Sequence, residues 1–348
     1  MKNCFLGFYA NKNLGDDLFI KIICERYPNI RFTIFVDSSY KDTFNDIKNL
    51  KKKYYNKKLN KTFNFLKAKL KIDIKNRMIN KCIKNSDYYI KVGGSIFIEN
   101  NPNYKEYDRE YKTNKNTYIL GSNFGPYESN EYYDYFNNLY NNIKDMCFRD
   151  KYSHDLFSSS RYASDIVFNL DASKYNKNKK NRIVISMIDL NNYKNLKKYV
   201  NEYDNLLINI IKKYQKDYEI YLMGFCKNEG DLNVINRIYN RLEDNTNIKC
   251  YLYDGNLNEA LNIISESKIV FATRFHANIL GLLFNLTIIP IIYSNKTKEL
   301  LKDIGFNKNI IDIKNIQDNY EFDLNYKKNI DEMIKIANVQ FEKLDKEL

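Results

Sequence analysis

The sequence is poor in the residues on which several enzyme classes depend. Only two histidines, His154 and His276, occur in 348 residues, and the six cysteines at positions 4, 24, 82, 147, 226 and 250 include no Cys-x-x-Cys pair. Zinc centres draw their ligands from such pairs and from closely spaced histidines, so no metal site is expected and no cofactor is called for. The cysteines, several of them inside apolar runs, read as reduced core residues. Neither a P-loop nor a dinucleotide fingerprint follows a strand-like run. No serine stands in a nucleophile elbow, which leaves a hydrolase triad without local support. The longest apolar region, 279–292, is broken by Asn285 and Pro290 and falls short of the roughly 18 residues a bilayer span needs. The amino-terminal run Cys4 to Tyr9 ends in Asn11, Lys12 and Asn13 without a cleavage site, so it reads as a first strand and a cytoplasmic location is expected.

What is present is a globular composition, with 44% hydrophobic and 28% charged residues, which excludes disorder and a membrane-spanning chain. The length predicts two domains. β-like runs at 4–9, 31–36, 88–92, 117–120 and 146–148 alternate with helical patterns, and the alternation resumes at 182–187, 219–223, 249–253, 269–272 and 288–292. Such alternation predicts two mostly parallel α/β sheets. The polar, lysine-rich stretch 171–181 between them reads as a boundary, so the expected domains are 1–175 and 176–348, with a cleft between the halves as the default site. A last amphipathic segment, 326–344, is expected to pack on one domain or bridge both.

The formal charge is +13, and most of the excess lies in two tracts, 51–61 and 174–180. Both read as solvated loops, because a run of like charge is weak evidence of a partner. Nucleic acid is therefore disfavoured as a partner, although Tyr54 and Tyr55 interleave with the first tract. Peripheral contact with an anionic membrane is compatible with the same lysines.

The run 268–284 carries the most chemistry. Ile269 to Ala272 is β-rich, while Ala277, Leu280, Gly281 and Phe284 recur at helical spacing, so Arg274 and His276 should stand where a strand hands over to a helix. A guanidinium grips phosphate or carboxylate without losing its charge, and an imidazole exchanges a proton near neutral pH. The pair therefore suggests an anionic substrate and proton transfer; a surface arginine beside a core histidine is the competing reading. Asn13-Leu-Gly15-Asp16 follows the first strand, with Gly15 permitting a tight turn and Asn13 and Asp16 facing the cleft, or else forming a plain helix cap. Gly93-Gly94-Ser95 and the loop from Gly121 through Asn123 and Gly125 to Pro126 also follow strands, where glycines let backbone amides approach a ligand. Arg149-Asp150 ends another strand, with Ser153 as the expected cap of the next helix, and Lys296 follows the strand ending near Tyr293.

Taken in order, N-x-G-D, a glycine pair, G-x-x-x-G-P, R-D-x-x-S, R-x-H-A and Y-x-x-K resemble the polysaccharide pyruvyl transferase family across nearly the whole chain. Phe275 stands where a leucine is more usual between Arg and His, and Ser95 where a third glycine is common. The resemblance implies an α/β chain of two Rossmann-like domains facing a cleft, as in the type-B glycosyltransferase fold, with the first domain on the acceptor side and the second on the donor side. It also implies transfer of pyruvate from phosphoenolpyruvate to two hydroxyls of one sugar, giving a ketal in a cell-surface glycan. Arg149, Arg274 and Lys296 would bind the donor, and His276 would be the catalytic acid or base. Asn13, Gly15, Asp16, Gly93, Gly94, Ser95, Asn123 and Gly125 would line the cleft on the acceptor side. The acceptor would be a saccharide or lipid-linked saccharide, the latter placing the enzyme at the inner face of the membrane. A nucleotide-sugar glycosyltransferase of the same fold is the alternative.

Overall fold

Short apolar strands with both faces buried require helices on either side of a sheet, and the chain builds two such sheets. A computed structural model describes residues 1–55, 74–99, 104, 107–175, 178–317 and 319–348. The chain divides into two units: Met1–Ala10, Asp16–Asn169 and Lys335–Leu348 form the first, and Asn11–Gly15 with Leu170–Ile334 the second.

The first unit contains β1 (Asn3–Gly7), β2 (Arg31–Asp37), β3 (Leu50–Tyr55), β4 (Tyr88–Val92), β5 (Thr117–Ser122), β6 (Asp145–Phe148) and β7 (Arg161–Tyr162). They pair in the order β3-β2-β1-β4-β5-β6-β7, every pair parallel. The second unit contains β8 (Arg182–Ser186), β9 (Glu219–Gly224), β10 (Ile248–Leu252), β11 (Ile269–Ala272), β12 (Thr287–Ile292) and β13 (Ile311–Asp312). Their order is β10-β9-β8-β11-β12-β13, again all parallel. In each sheet the strand order reverses once, between β1 and β4 and between β8 and β11, and beyond the carboxyl ends of the strands at such a reversal the loops diverge and leave room for a ligand. The cores differ in character. The first is aromatic, built on Phe5, Tyr89, Phe97, Phe136 and Phe148, and the second is aliphatic, built on Ile183, Ile185, Leu222 and Ile289.

The first lysine tract departs from the solvated loop expected of it, and the second departs from it, among its described lysines, at Lys179 alone. Leu50–Tyr55 is an edge strand, and edge strands carry lysine because a charged side chain blocks further pairing. Lys52 turns inward, where its ammonium donates to Lys41 O at 2.6 Å, Thr43 O at 2.7 Å, Asn45 Oδ1 at 2.7 Å and Tyr40 O at 3.2 Å. Those acceptors lie on one turn, so the lysine fastens it to the sheet; burial lowers its pKa. The remainder of that tract, from position 56, lies outside the described residues. In the second tract Lys179 donates to Ser265 O at 2.5 Å and Phe284 O at 2.9 Å. It thereby satisfies carbonyls at the ends of the helices Leu257–Ser265 and Phe275–Leu283, where a cation is favoured. Tyr175, in the stretch expected to be a linker, is buried and its hydroxyl donates to Asn258 Oδ1 at 3.1 Å. Five cysteines are buried, but Cys250 is exposed on β10 and is no core residue.

The last residues return to the first unit. Gln340 is fully buried there: its Oε1 accepts from Gly121 N at 3.0 Å and its Nε2 donates to Ser164 O at 3.1 Å and Phe148 O at 3.4 Å. One amide side chain thus closes backbone groups that would otherwise be buried unpaired.

The lysine geometry separates neighbours within one tract. Lys52→Met should lower unfolding free energy by about 1–3 kcal/mol, since carbonyls lose a charged donor, whereas Lys51→Met, on the exposed face, should change it by less than about 0.5 kcal/mol. Urea denaturation of the two variants measures the difference.

Candidate functional site

In the second unit the site is built around Arg274, which follows β11 and is the N-cap residue of the helix Phe275–Leu283. Its guanidinium is buried, with 8% of the side chain exposed. Nε donates to Asp231 Oδ2 at 3.1 Å and Met187 O at 3.3 Å, while Nη2 donates to Asp231 Oδ1 and Nη1 to Glu229 Oε2. Met187 follows β8, so the arginine spans the two strands at which the second sheet reverses. Asp231 is completely buried and its Oδ2 also accepts from Phe225 N at 2.7 Å and Cys226 N at 3.0 Å. Between the two acids Gly230 adopts φ +84°, a left-handed turn, and a Cβ there would also meet Asn192 Nδ2 at 2.9 Å.

The Asn-x-Gly-Asp turn belongs to this cluster. Asn13 Nδ2 donates to Glu229 Oε1 at 3.0 Å, and its Oδ1 accepts from Gly15 N at 3.0 Å, so one side chain caps the helix Leu14–Arg26 and also holds the acid. Gly15 lies in the helix with no positive φ, so turn geometry is not what calls for glycine there. Space is: a Cβ at this position would lie 1.8 Å from His276 Nδ1. The imidazole rests against bare backbone, with Nε2 shielded from solvent and its ring edge-on to Phe275 at 5.2 Å. Asp16 is half-buried in the same first helical turn and groups with the first unit. Lys296 Nζ stands over the rings of Phe275 at 5.8 Å and Tyr293 at 5.9 Å, and Tyr293 meets Tyr193 edge to face at 5.5 Å.

The charges set one another. Burial works to raise the Glu229 carboxyl, but Arg274, Asn13 and Lys296 outweigh it and hold the group below the ordinary value. Burial keeps the Asp231 carboxyl above its ordinary value, against the pull of Arg274 and of two backbone amides. Tyr293 is buried, which raises a phenol, yet Lys296 and Arg274 bring it below its usual value.

The first unit holds a second arginine cluster. Arg149 follows β6 and is buried with Asp165, Nη1 to Oδ2 at 2.9 Å; Nη2 donates to Asn123 Oδ1 at 2.8 Å. Ser95 Oγ donates to the same Asn123 oxygen at 3.1 Å, and Asn123 N donates to Gly94 O at 3.0 Å. A Cβ on Gly94 would lie 2.6 Å from both guanidinium nitrogens, so the glycine makes room for the arginine. Gly93 is tight against Ile96, and Gly125 N donates to Phe97 O at 2.7 Å across the loop. The cap of the next helix is Asp150, whose Oδ1 accepts from Ser153 N at 2.8 Å. Ser153, expected in that role, instead accepts from Phe124 N at 2.8 Å.

The structure therefore brings Asn13, Gly15, Arg274, His276 and Lys296 together in one unit, and Gly94, Ser95, Asn123 and Arg149 in the other. Glu229, Asp231, Asp165 and Tyr193 were not among the residues expected from sequence. Glu229-Gly230-Asp231 carried a usable signal, an acid pair around a glycine at a strand-to-helix turn, but it reads equally as a helix start.

Two parallel-sheet α/β units of this strand order are the fold class of type-B glycosyltransferases and related epimerases. The chain belongs to the polysaccharide pyruvyl transferase family, whose description it matches over residues 13–295. No curated protein matches it in sequence. Among solved structures it is similar to the UDP-GlcNAc 2-epimerase of Methanocaldococcus jannaschii, with 13% identity, a TM-score of 0.61, and coverage of 99% of this chain and 100% of that one. It is also similar to S. aureus MnaA solved with UDP, with 12% identity, a TM-score of 0.54, and coverage of 87% and 82%. Anabaena Alr3699/HepE, solved with UDP and glucose, gives 11% identity, a TM-score of 0.53, and coverage of 99% and 91%. Likeness at these identities shows the fold.

Arg274→Ala should cost about 3–5 kcal/mol in unfolding free energy, because it strands a buried carboxylate. Arg274→Met combined with Asp231→Leu, which removes both charges, should recover part of that loss. Glu229→Gln should behave differently with pH. The carboxyl of Glu229 is depressed in the folded state, so it stabilises above its ordinary value of 4.5 and the contribution is lost as pH falls through the folded value. The stability deficit of Glu229→Gln should be full at neutral pH and shrink in acid, as read from denaturation series.

Proposed function

We propose that the chain transfers pyruvate from phosphoenolpyruvate to two hydroxyls of one sugar in a cell-surface polysaccharide or its precursor, forming a cyclic ketal and releasing phosphate. The observation that carries this reading is the contact between Gly15 and the His276 imidazole, next to Arg274 held by two acids, within a family match that takes in all three residues. A glycine that leaves space for one ring atom of a half-buried histidine fixes that ring, and a fixed imidazole suits proton transfer. The acceptor in this reading is a saccharide or lipid-linked saccharide, the latter placing the enzyme at the inner face of the membrane.

The roles follow from charge. Phosphoenolpyruvate carries phosphate and carboxylate, and Lys296, which makes no ion pair among the described residues, is suited to meet them. Arg274 shares its charge with Glu229 and Asp231, so in this proposal it sets the field and position of the cluster, in place of the direct donor contact expected from sequence. Arg149, paired with Asp165, orders the Gly94–Asn123 turn in the same way. In the reaction a proton is delivered to the enol methylene, which leaves a cationic centre at the neighbouring carbon. A sugar hydroxyl adds there with loss of its proton, phosphate departs, and the second hydroxyl closes the ring as it too loses its proton. His276 is the group that carries protons in this sequence, and Tyr293, lowered by two cations, stands beside Lys296.

His276→Gln should stay folded and lose about 100- to 10,000-fold in turnover, with donor affinity by calorimetry less affected. Gly15→Ala should displace the imidazole and reduce turnover while Lys296→Ala weakens donor binding. Phosphate release and product mass, measured with phosphoenolpyruvate and a panel of glycans, test the reading. Consumption of a nucleotide sugar instead, with phosphoenolpyruvate inert, would assign the chain to the glycosyltransferase alternative.

A further inference from the structure

The positive charge of the chain is concentrated in one stretch of its sequence. Residues 51–84 contain thirteen lysines and arginines against a single acid, Asp73, a net +12 of the chain's +13. The described parts of that window are the edge strand β3 and the helix Ile74–Lys84, and neither contains an acidic residue. They lie side by side in the first unit: Lys53 Nζ donates to Cys82 Sγ at 3.6 Å, and Lys75 Nζ stands 4.6 Å over the Tyr55 ring. Lys51, Lys53, Lys75, Arg77, Lys81 and Lys84 are exposed. Tyr54 and Met78, two of the few large apolar side chains exposed anywhere among the described residues, stand on the same strand and helix, at 46% and 41%.

We infer that this face of the first unit docks on an anionic lipid surface. Lysines and arginines near such a surface each add about 1 kcal/mol of attraction, and exposed apolar side chains among them gain by entering the headgroup boundary. A fold that disperses its other charges to near balance and gathers seven cations and no acid on one strand and one helix has the distribution of a peripheral membrane protein. The helix Ile74–Lys84 is too short to cross a bilayer, and no described helix is long and apolar enough to do so, so the attachment is superficial and reversible. Nucleic acid would also answer to the lysines, but pairing of an exposed methionine and tyrosine with them favours lipid. The inference does not depend on the donor or the reaction proposed above.

The test is sedimentation of the full chain with vesicles of phosphatidylcholine alone and of an equal mixture with phosphatidylglycerol, without donor or acceptor. Binding is expected only to the mixed vesicles, weakening with salt. Lys51→Glu, Lys53→Glu, Lys81→Glu and Lys84→Glu combined should reduce partitioning by at least roughly fivefold per residue, while Lys298→Glu with Lys302→Glu, elsewhere on the surface, should not. Tyr54→Ser with Met78→Ser should weaken what binding remains at high salt. An unchanged melting temperature in the charge-reversed protein separates lost docking from lost folding. Equal binding of the two charge variants, no binding to mixed vesicles, or salt-sensitive binding to random oligonucleotides in its place would overturn the inference. Because no turnover is measured, none of these outcomes bears on the pyruvyl transfer reading.

Discussion

A buried guanidinium between two acids constrains the second unit more than any other contact. Arg274 can be taken out of water only because Asp231 and Glu229 accompany it, and Asp231 only because Arg274 and the amides of Phe225 and Cys226 close its oxygens. The loop after β9, the loop after β11 and the end of β8 are thereby fixed to one point. Asn13 extends the arrangement, since the amide that holds Glu229 also caps the helix that brings Gly15 to His276. The setting of the imidazole and local folding therefore rest on the same hydrogen bonds.

The first unit repeats the device on a smaller scale. Arg149 is buried with one acid, Asp165, and uses Asn123 to reach Ser95 and the turn at Gly94. In both units a glycine stands where a methyl group would strike a neighbouring side chain, the imidazole in one and the guanidinium in the other. Packing at these points is specified as much by absent atoms as by present ones.

Most of the parallel strands and the Arg-x-His turn were legible in the sequence because buried strands read as apolar runs and the turn breaks one of them, whereas β7 and β13, of two residues each, leave no such run. β3 was not, since three consecutive lysines hide its alternation, and the inward turn of Lys52 depends on carbonyls that only the folded loop assembles. Lys179 was obscured in the same way, its two acceptors lying 86 and 105 residues away. The roles of Arg274 and Arg149 could be placed but not defined. A sequence shows that an arginine stands at a strand end, but whether it faces a ligand or an acid depends on Glu229, Asp231 and Asp165, which look like ordinary helix and turn residues until the fold pairs them.

Neither unit is a contiguous length of chain. Residues 11–15 belong with the second and 335–348 with the first, where Gln340 threads its amide among β5, β6 and the segment at Ser164. Gene recombination that joins halves from two relatives by a single crossover near residue 170 would separate Gln340 from its partners and Asn13 from Glu229. Exchanges between relatives can keep these contacts only by carrying both ends along. Loop-by-loop drift is then the easier route to change at either arginine cluster.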